Sequence, residues 1–259
     1  MNRAYRNNQL KRYVKDKRLW VVFLYTVVLF TIQTVAKSNE GIYDDNLSNN
    51  LMLLNYFGVG ANIYYAFLVF FAPFTASAIY SYDRRKNVNS MLISRMGRRS
   101  YIKNTVAVAI ILGVVTGLFP LVFHDVLMAL IYPFHYAQDV YFHAVSHRSG
   151  FLYTSNPYVI NLLFYIVYGL WCIFFSLLTL AVSMVSRRRY FENILPIAVF
   201  QIAWTVSMRN TSEGGIRFTE FFPTMYTKEI PLGVSLIFLA CAIGLCLLFI
   251  RSRSREDSL

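Results

Sequence analysis

Apolar and polar positions are segregated in blocks along this chain. Six long apolar stretches hold no Asp, Glu, Lys, Arg or His in their central parts, and the charged residues lie between them. A bilayer core about 30 Å thick needs roughly 20 apolar residues as a helix, which rises about 1.5 Å per residue. The pattern therefore predicts an all-α integral membrane protein with six transmembrane helices. The predicted spans are Leu19–Ala36, Ala61–Tyr82, Thr105–Phe123, Pro157–Val185, Ile194–Met208 and Ile230–Ile250.

The charged residues predict the orientation of these helices. If the N-terminus is cytoplasmic, that side holds residues 1–18, 83–104, 186–193 and the C-terminal tail, with 20 basic and 5 acidic residues. The opposite side holds 5 basic and 8 acidic residues. Lys and Arg in short connections resist translocation across the membrane. The balance of +15 against −3 therefore predicts that both termini are cytoplasmic.

Length and composition limit what else the chain can contain. Its 259 residues, 56% of them hydrophobic, fit a single transmembrane domain over residues 1–259 with no room for a separate soluble catalytic domain. The net charge of +12 is explained by the orientation, so no nucleic-acid partner is expected. Cys172, Cys241 and Cys246 all lie within predicted helices, which indicates small apolar core residues rather than disulfides.

The N-terminal arm, residues 1–18, mixes apolar and basic side chains. Tyr5, Leu10, Tyr13 and Val14 stand among seven Lys and Arg residues. Such a segment can lie along the inner leaflet, with its apolar side chains among the headgroups and its cations near anionic lipid. The other interpretation is that the arm only sets the orientation and has no further role.

Residues 83–104 form a basic connection between the second and third predicted spans. Val88, Met91, Leu92 and Met96 follow the spacing i, i+3, i+4 and i+8, which predicts a short helix that stops at Gly97. So short a helix cannot bury its own apolar stripe. It either docks in a cleft on a partner or rests on lipid headgroups. The basic residues around it are Arg84, Arg85, Lys86, Arg95, Arg98, Arg99 and Lys103.

The arm, the six spans and this connection together resemble the permease subunits of type-2, exporter-like ABC transporters. Residues 79–105, IYSYDRRKNVNSMLISRMGRRSYIKNT, are similar to a pattern of that family. The pattern has a Tyr and an acidic residue closing the second helix, a short amphipathic helix, and an Arg-rich turn with a Tyr before the third. The commonest family version has Glu where Asp83 stands. In the family the short helix, called the coupling helix, sits in a cleft of a separate ATPase subunit.

The resemblance implies partners and site residues. It implies a cytoplasmic ABC ATPase subunit that holds ATP and Mg, and a second copy of this chain or a related permease. We therefore expect a dimeric exporter in a plasma membrane, with a bacterial source. By position, the coupling helix covers residues 87–96. The implied partner-binding residues are Asn87, Val88, Met91, Leu92, Arg95 and Met96, with Asp83, Arg84, Arg98 and Arg99 at the edges.

Several motifs are missing from the sequence. No G-x-x-x-x-G-K-[ST] loop is present, so the chain lacks the usual cradle for nucleotide phosphates, and no H-E-x-x-H motif occurs. We expect no catalytic residue and no cofactor in this chain, which by itself is not an enzyme. Ion-driven carriers usually need an ionisable group at membrane depth, and none of the predicted spans contains one. The alternative is a stand-alone carrier, or an accessory membrane protein without an ATPase partner.

Residues 124–156, predicted to form an extracellular connection, contain all four histidines. His135, Asp139, His143 and His147 recur every four residues, so a helix would place them on one face. Two imidazoles and a carboxylate at this spacing can bind Zn²⁺ or Cu²⁺, or can sense pH. The other interpretation is a polar stripe in contact with water.

Residues 209–229 are too apolar for a free loop and too short for a crossing, which predicts a re-entrant or interfacial hairpin. The hairpin either closes the outer end of a transport pathway, as in many members of the family that this chain resembles, or only anchors aromatic rings at the interface. Uncharged aromatic, hydroxyl and amide groups suit an amphipathic or hydrophobic cargo such as a lipid, drug or peptide. The candidate pathway residues are Tyr64, Tyr65, Thr75, Ser77, Gln201, Trp204, Thr205 and Ser207.

Overall fold

The computed structural model describes residues 2–39, 78–131, 157–186, 191–209 and 232–256. Within these ranges the chain is all-helical and no strand occurs. This confirms the all-α class predicted from the sequence. The helices are α1 (Asn2–Val14), α2 (Lys17–Asn39), α3 (Ala78–Arg85), α4 (Val88–Met96), α5 (Arg98–Ile131), α6 (Pro157–Val185), α7 (Phe191–Arg209) and α8 (Leu232–Glu256).

Three of these helices are long and apolar enough to cross a membrane: α5, residues 165–185 of α6 and residues 233–254 of α8. They are compatible with a membrane protein. The apolar parts of α2 and α7 are shorter in the described residues. Most of the predicted span at 61–82 lies outside the described residues. The count of six spans and the cytoplasmic termini therefore stay predictions.

Helix α6 is the centre of the described bundle, because α5, α7 and α8 all pack against it. Helix α5 approaches it very closely: a Cβ added to Gly113 would lie 2.9 Å from the Cβ of Ser176. Small residues at such a crossing let two backbones come together. Further along, a Cβ on Gly169 of α6 would lie 3.2 Å from Leu118 of α5. Residue numbers rise on one helix as they fall on the other, so α5 and α6 are antiparallel.

Aromatic contacts give the directions of α7 and α8. Trp171 of α6 lies 6.2 Å from Phe238 near the start of α8, measured between ring centroids. The last turns of α6 line a groove together with the first turn of α7 and residues 245–252 of α8. Helix α8 is therefore parallel to α6. Helix α7 is antiparallel to it, since Phe175 of α6 meets Phe200 in the middle of α7.

It follows that α5 and α7 begin at the same end of the bundle at which α6 and α8 finish. We call this the basic end, because Arg98, Arg99 and Lys103 of α5 lie there with Arg251 and Arg253 of α8. A buried cluster fills the bundle behind these cations. Its members include Tyr80, Tyr101, Ile102, Leu177, Leu180, Met184, Cys246 and Ile250.

The N-terminal arm packs against the helices. Tyr13 of α1 is buried with Ile79, Val108 and Leu112. The chain then turns, with the Asp16 amide donating to the Tyr13 carbonyl at 2.9 Å. Helix α1 therefore lies along the first half of α5.

Helix α2 begins beside the second half of α5. The ring of Phe23 lies 5.2 Å from Phe119 and 5.5 Å from Phe123, between ring centroids. The apolar part of α2 thus starts well away from the basic end.

Helix α5 continues beyond Phe123, where the sequence pattern placed the end of the third span. His124 and Asp125, which the sequence analysis assigned to the following connection, lie inside the helix and are 7% and 9% exposed. The His124 Nδ1 and Asp125 Oδ1 atoms are 3.8 Å apart. An ionisable pair is thus buried within a helix long enough to span a membrane, where polar groups are costly and often functional.

Candidate functional site

Helix α4 is set off from its neighbours by two residues with positive φ. Asn87 has φ 54° and ψ 17°, and Gly97 has φ 77°. Asn tolerates the left-handed region better than most residues, and Gly adopts it without a steric cost. The Gly97 amide donates to the Ile93 carbonyl at 2.9 Å, which closes the helix. The chain therefore turns sharply on both sides of a nine-residue helix, as the stop at Gly97 predicted.

The two sides of α4 have different surroundings. Leu92, Ile93 and Met96 are partly buried against the cluster behind the basic end. Met91 is 56% exposed, and no residue of α4 is fully buried. The predicted stripe is therefore divided: Leu92 and Met96 pack against the chain itself, and Met91 does not. The exposed α4 face consists of Ser90, Met91, Ser94 and Arg95.

Asp83, at the end of α3, is 1% exposed and is surrounded by three donor side chains from two other helices. The hydroxyls of Tyr5 in α1 and Tyr101 in α5 each donate to its Oδ2 atom at 3.2 Å. Arg12 of α1 lies 3.5 Å from Oδ1, and its guanidinium also lies 3.7 Å from the centre of the Tyr82 ring. A buried carboxylate needs such partners, since desolvation of the charge is expensive.

Burial raises the pKa of Asp83 above its usual value, although the hydrogen bond from Tyr101 and the charge of Arg12 act in the opposite direction. The same burial, together with the negative charge of Asp83, raises the pKa of Tyr5 to about 12. The charge of Asp83 disfavours ionisation of Tyr5, whereas the hydrogen bond from the Tyr5 hydroxyl favours the charged form of Asp83. Tyr5 therefore stays a hydrogen-bond donor to Asp83 at neutral pH.

Arg84 and Arg85, which follow Asp83, contact α6 and α7. The Arg84 guanidinium donates to the backbone carbonyl of Ser186, just after the last turn of α6. Arg85 lies 3.8 Å from Glu192, which is buried in the first turn of α7. An acidic side chain is also favoured there by the helix dipole. Residues 83–85, which we call the 83–85 junction, thus connect α3 to α1, α5, α6 and α7.

The structure places the predicted partner-binding residues in two groups. Met91 and Arg95 lie on the exposed α4 face. Asp83 and Arg84 are engaged within the chain, so they position α4 instead of offering a free surface. Among the remaining residues of that set, Asn87 and Arg99 are exposed, whereas Val88, Leu92, Met96 and Arg98 are half-buried.

The partners of the 83–85 junction were not predicted from the sequence. These are Tyr5, Arg12, Tyr101, Ser186 and Glu192. The sequence does indicate that the N-terminal arm has a face that could pack against the bundle. Tyr5 and Tyr13 are eight residues apart, so they lie on one face of a helical arm that otherwise carries many charges.

The pathway and metal candidates are only partly covered by the structure. Gln201 and Thr205 are exposed on α7, where the Thr205 hydroxyl donates to the Gln201 carbonyl at 2.8 Å. Trp204 and Ser207 belong to the same helix. Among the described residues, no group of three potential metal ligands occurs. The candidates Tyr64, Tyr65, Thr75, Ser77, His135, Asp139, His143 and His147, and residues 210–229 of the predicted hairpin, lie outside the described residues.

No protein-family model, curated protein or solved structure matches the chain. Function is therefore inferred from the exposed α4 face, the 83–85 junction and the buried pair in α5.

Proposed function

We propose that this chain is the permease subunit of an ATP-driven ABC transporter, with the exposed α4 face as the docking site for a separate ATPase subunit. One observation carries the proposal: a short helix with one exposed face is joined, through three consecutive residues, to four other helices. Such an element is suited to receive force from a partner and pass it on. ATP and Mg would be held by the partner, since this chain has no phosphate-binding loop.

The 83–85 junction gives a physical route for coupling. A displacement of α4 acts on α3 directly, because only two residues separate these helices. Asp83 then moves with Tyr5 and Tyr101, and Arg85 with Glu192. Because packed interiors deform little, the shift is passed to whole helices instead of being absorbed locally. The proposed outcome is a change in tilt of α5, α6 and α7 that opens a route for cargo.

The wider assignment keeps the architecture expected from the sequence. It has six crossings, both termini in the cytoplasm of a bacterial cell, and a dimer of this chain or a pair of related permeases. The proposed cargo is amphipathic or hydrophobic. The mainly apolar character of the long helices supports this choice, as does the scarcity of charged groups among the candidate pathway residues.

The decisive experiment is co-purification from the native host in mild detergent. We expect an ATP-hydrolysing chain with a phosphate-binding loop to be recovered with the wild-type protein. Met91→Asp should release that chain and abolish cargo-stimulated ATP hydrolysis, because it places a charge in the docking contact. Val14→Asp is the matched control, since Val14 and Met91 are each 56% exposed. Absence of such an ATPase, or its retention by the Met91→Asp variant, would contradict the proposal.

A second candidate function is a proton-coupled carrier that works alone. The observation that favours it is the His124–Asp125 pair, buried in α5. Ionisable groups buried in membrane-spanning helices often form proton pathways. Reconstituted vesicles distinguish the two functions. A carrier moves cargo in response to a pH gradient without ATP, and loses this activity in Asp125→Asn, whereas an ABC permease requires the ATPase and ATP.

A further inference from the structure

A groove between the first turns of α5 and the last turns of α8 is lined both by basic residues and by apolar residues. Its volume is about 480 Å³, which falls in the range of roughly 300–1,000 Å³ typical of small-molecule sites. On α5 the lining residues follow the spacing i, i+3, i+4 and i+7, and the same holds on α8. One continuous face of each helix therefore forms a wall. The lining residues are Arg99, Ile102, Lys103, Val106, Leu247, Ile250, Arg251 and Ser254.

Because α5 and α8 are antiparallel, the polar lining residues collect at one end of the groove. Arg99 and Arg251 with Ser254 lie toward the outer side of the basic end, whereas Val106 and Leu247 lie further into the bundle. Lys103 is between them, on a side chain long enough to carry its ammonium toward the polar side. The groove thus has a cationic mouth and an apolar floor.

The three cations of the mouth are available to an external ligand. Arg99, Lys103 and Arg251 are all exposed, and within the described part of the chain none of them forms an ion pair with a carboxylate. The first turn of α5 also contains no acidic residue. Three like charges around one groove repel each other, so an anion between them is stabilising. The backbone amides at the start of α5 favour an anion as well.

We propose that this groove binds an anionic phospholipid from the membrane leaflet at the basic end. The phosphate would lie among Arg99, Lys103 and Arg251, and an acyl chain would run along Ile102, Val106 and Leu247. Basic grooves between membrane helices commonly bind acidic headgroups in this way. A soluble phosphate would leave the apolar floor unused. The proposal requires that the helices sit in a bilayer, but it does not require an ATPase partner.

A second groove in the same bundle can be compared with the α5–α8 groove in the charge of its lining residues. It lies between α6, α7 and α8, has a volume of about 1,090 Å³, and none of the described residues that line it is charged. Among the described lining residues, the hydroxyl-bearing ones are Ser186 and Ser252. Among the described residues, cations line the α5–α8 groove and not this second one, so we expect the anionic headgroup at the α5–α8 groove.

The test is lipid binding by the full-length protein in a neutral detergent, measured by native mass spectrometry. We expect phosphatidylglycerol to be retained in preference to phosphatidylcholine. Lys103→Gln/Arg251→Gln should weaken phosphatidylglycerol binding by about tenfold or more, since each cation near a lipid surface contributes about 1 kcal/mol. Lys11→Gln/Lys15→Gln is the matched control. It removes the same charge from exposed positions of the N-terminal arm and should leave binding nearly unchanged.

Three results would overturn the proposal. Equal losses in the two double variants would show diffuse attraction to the whole basic surface. Equal retention of the two lipids would show that the cations do not select the headgroup. Displacement of the lipid by millimolar inorganic phosphate would show a simple anion site. Circular dichroism checks that the variants are folded, and Arg99→Gln alone replaces the double variant if that protein is unstable.

Discussion

The hydroxyl of Tyr5 donates a hydrogen bond to Asp83 at 3.2 Å, although 78 positions separate them in the sequence. This contact makes the N-terminal arm part of the helical bundle. Arg12, on the same arm, lies near the other oxygen of the carboxylate. Asp83 is thus held by two groups of α1 and by Tyr101 of α5, which compensates for the removal of its charge from water.

Removal of the Asp83 carboxylate should destabilise the protein. Asp83→Ala leaves the buried Tyr101 hydroxyl and the half-buried Tyr5 hydroxyl without this acceptor, which costs about 1–3 kcal/mol in free energy of unfolding. Asp83→Asn should cost less, because the amide oxygen still accepts one hydrogen bond and its burial carries no charge penalty. Reversible denaturation in detergent measures both. In a double-mutant cycle, Asp83→Ala and Tyr5→Phe should be less than additive. Strict additivity would show that the two groups do not interact.

The raised pKa of Tyr5 predicts a specific alkaline loss of stability. Its ordinary pKa is 10.0, and in the folded chain it is raised to about 12 by burial and by Asp83. Between these values the unfolded chain has lost a proton that the folded chain keeps. Stability therefore falls as pH rises through this window, and Tyr5 causes no pH dependence below it.

The variant Tyr5→Phe has no proton to lose at this position. The stability advantage of the wild type over Tyr5→Phe should therefore shrink as pH rises from 10 to 12. Melting temperatures of the two proteins at a series of pH values give this difference, in which the contributions of other Lys and Tyr residues cancel. A constant or growing advantage would show that the Tyr5 hydroxyl is not buried beside Asp83.

The apolar pattern predicted the long helices better than their ends. The fourth predicted span, Pro157–Val185, coincides with α6, which is flanked by polar residues. The third, Thr105–Phe123, is only the middle of α5. A hydropathy pattern detects the length of chain suited to lipid, whereas a helix continues as long as its backbone hydrogen bonds do. His124 and Asp125 lie within this helix and are buried, although the hydropathy pattern ends before them.

The sequence predicted the short helix of the candidate site, but not which of its residues are exposed or which helices it contacts. The spacing of Met91, Leu92 and Met96 predicted α4, but not which of them would be exposed. An amphipathic stripe shows that a helix has a face to cover, while tertiary packing decides whether the chain or a partner covers it. Apart from Tyr101, the partners of the 83–85 junction lie 71 to 107 positions away in the sequence. No local pattern encodes separations of that length, so they required the structure.

The close approach of α5 and α6 at Gly113 should tolerate no side chain. A Cβ there would lie 2.9 Å from the Cβ of Ser176 and 3.0 Å from the Cys172 carbonyl oxygen, both on the α6 backbone or next to it. Gly113→Ala should therefore force the helices apart and lower the melting temperature by several degrees, as overpacking of about 1–3 kcal/mol does.

Gly244→Ala on α8 is the control for that substitution. A Cβ at this position has no neighbour within 4 Å, and Ala is the better helix former. Its melting temperature should equal or exceed that of the wild type. If Gly113→Ala were equally harmless, the close α5–α6 crossing would be wrong.

Arg85 should affect the transmission of force from α4, and not the docking of the ATPase. It is outside the exposed α4 face and pairs with Glu192 at the start of α7. Arg85→Gln removes this charge pair. We expect the ATPase to co-purify as with the wild type, while cargo-stimulated ATP hydrolysis falls about fivefold or more, which corresponds to a coupling free energy of about 1 kcal/mol.

Lys86→Gln is the matched control for that variant, since it removes a charge from the adjacent residue. Lys86 is exposed, and its ammonium lies 5.7 Å from the centre of the Tyr82 ring, a weaker contact than an ion pair with a buried carboxylate. Its ATP hydrolysis should match that of the wild type. Loss of the ATPase from Arg85→Gln would place Arg85 in the docking surface. Normal stimulation in that variant would show that α7 receives its movement by another route.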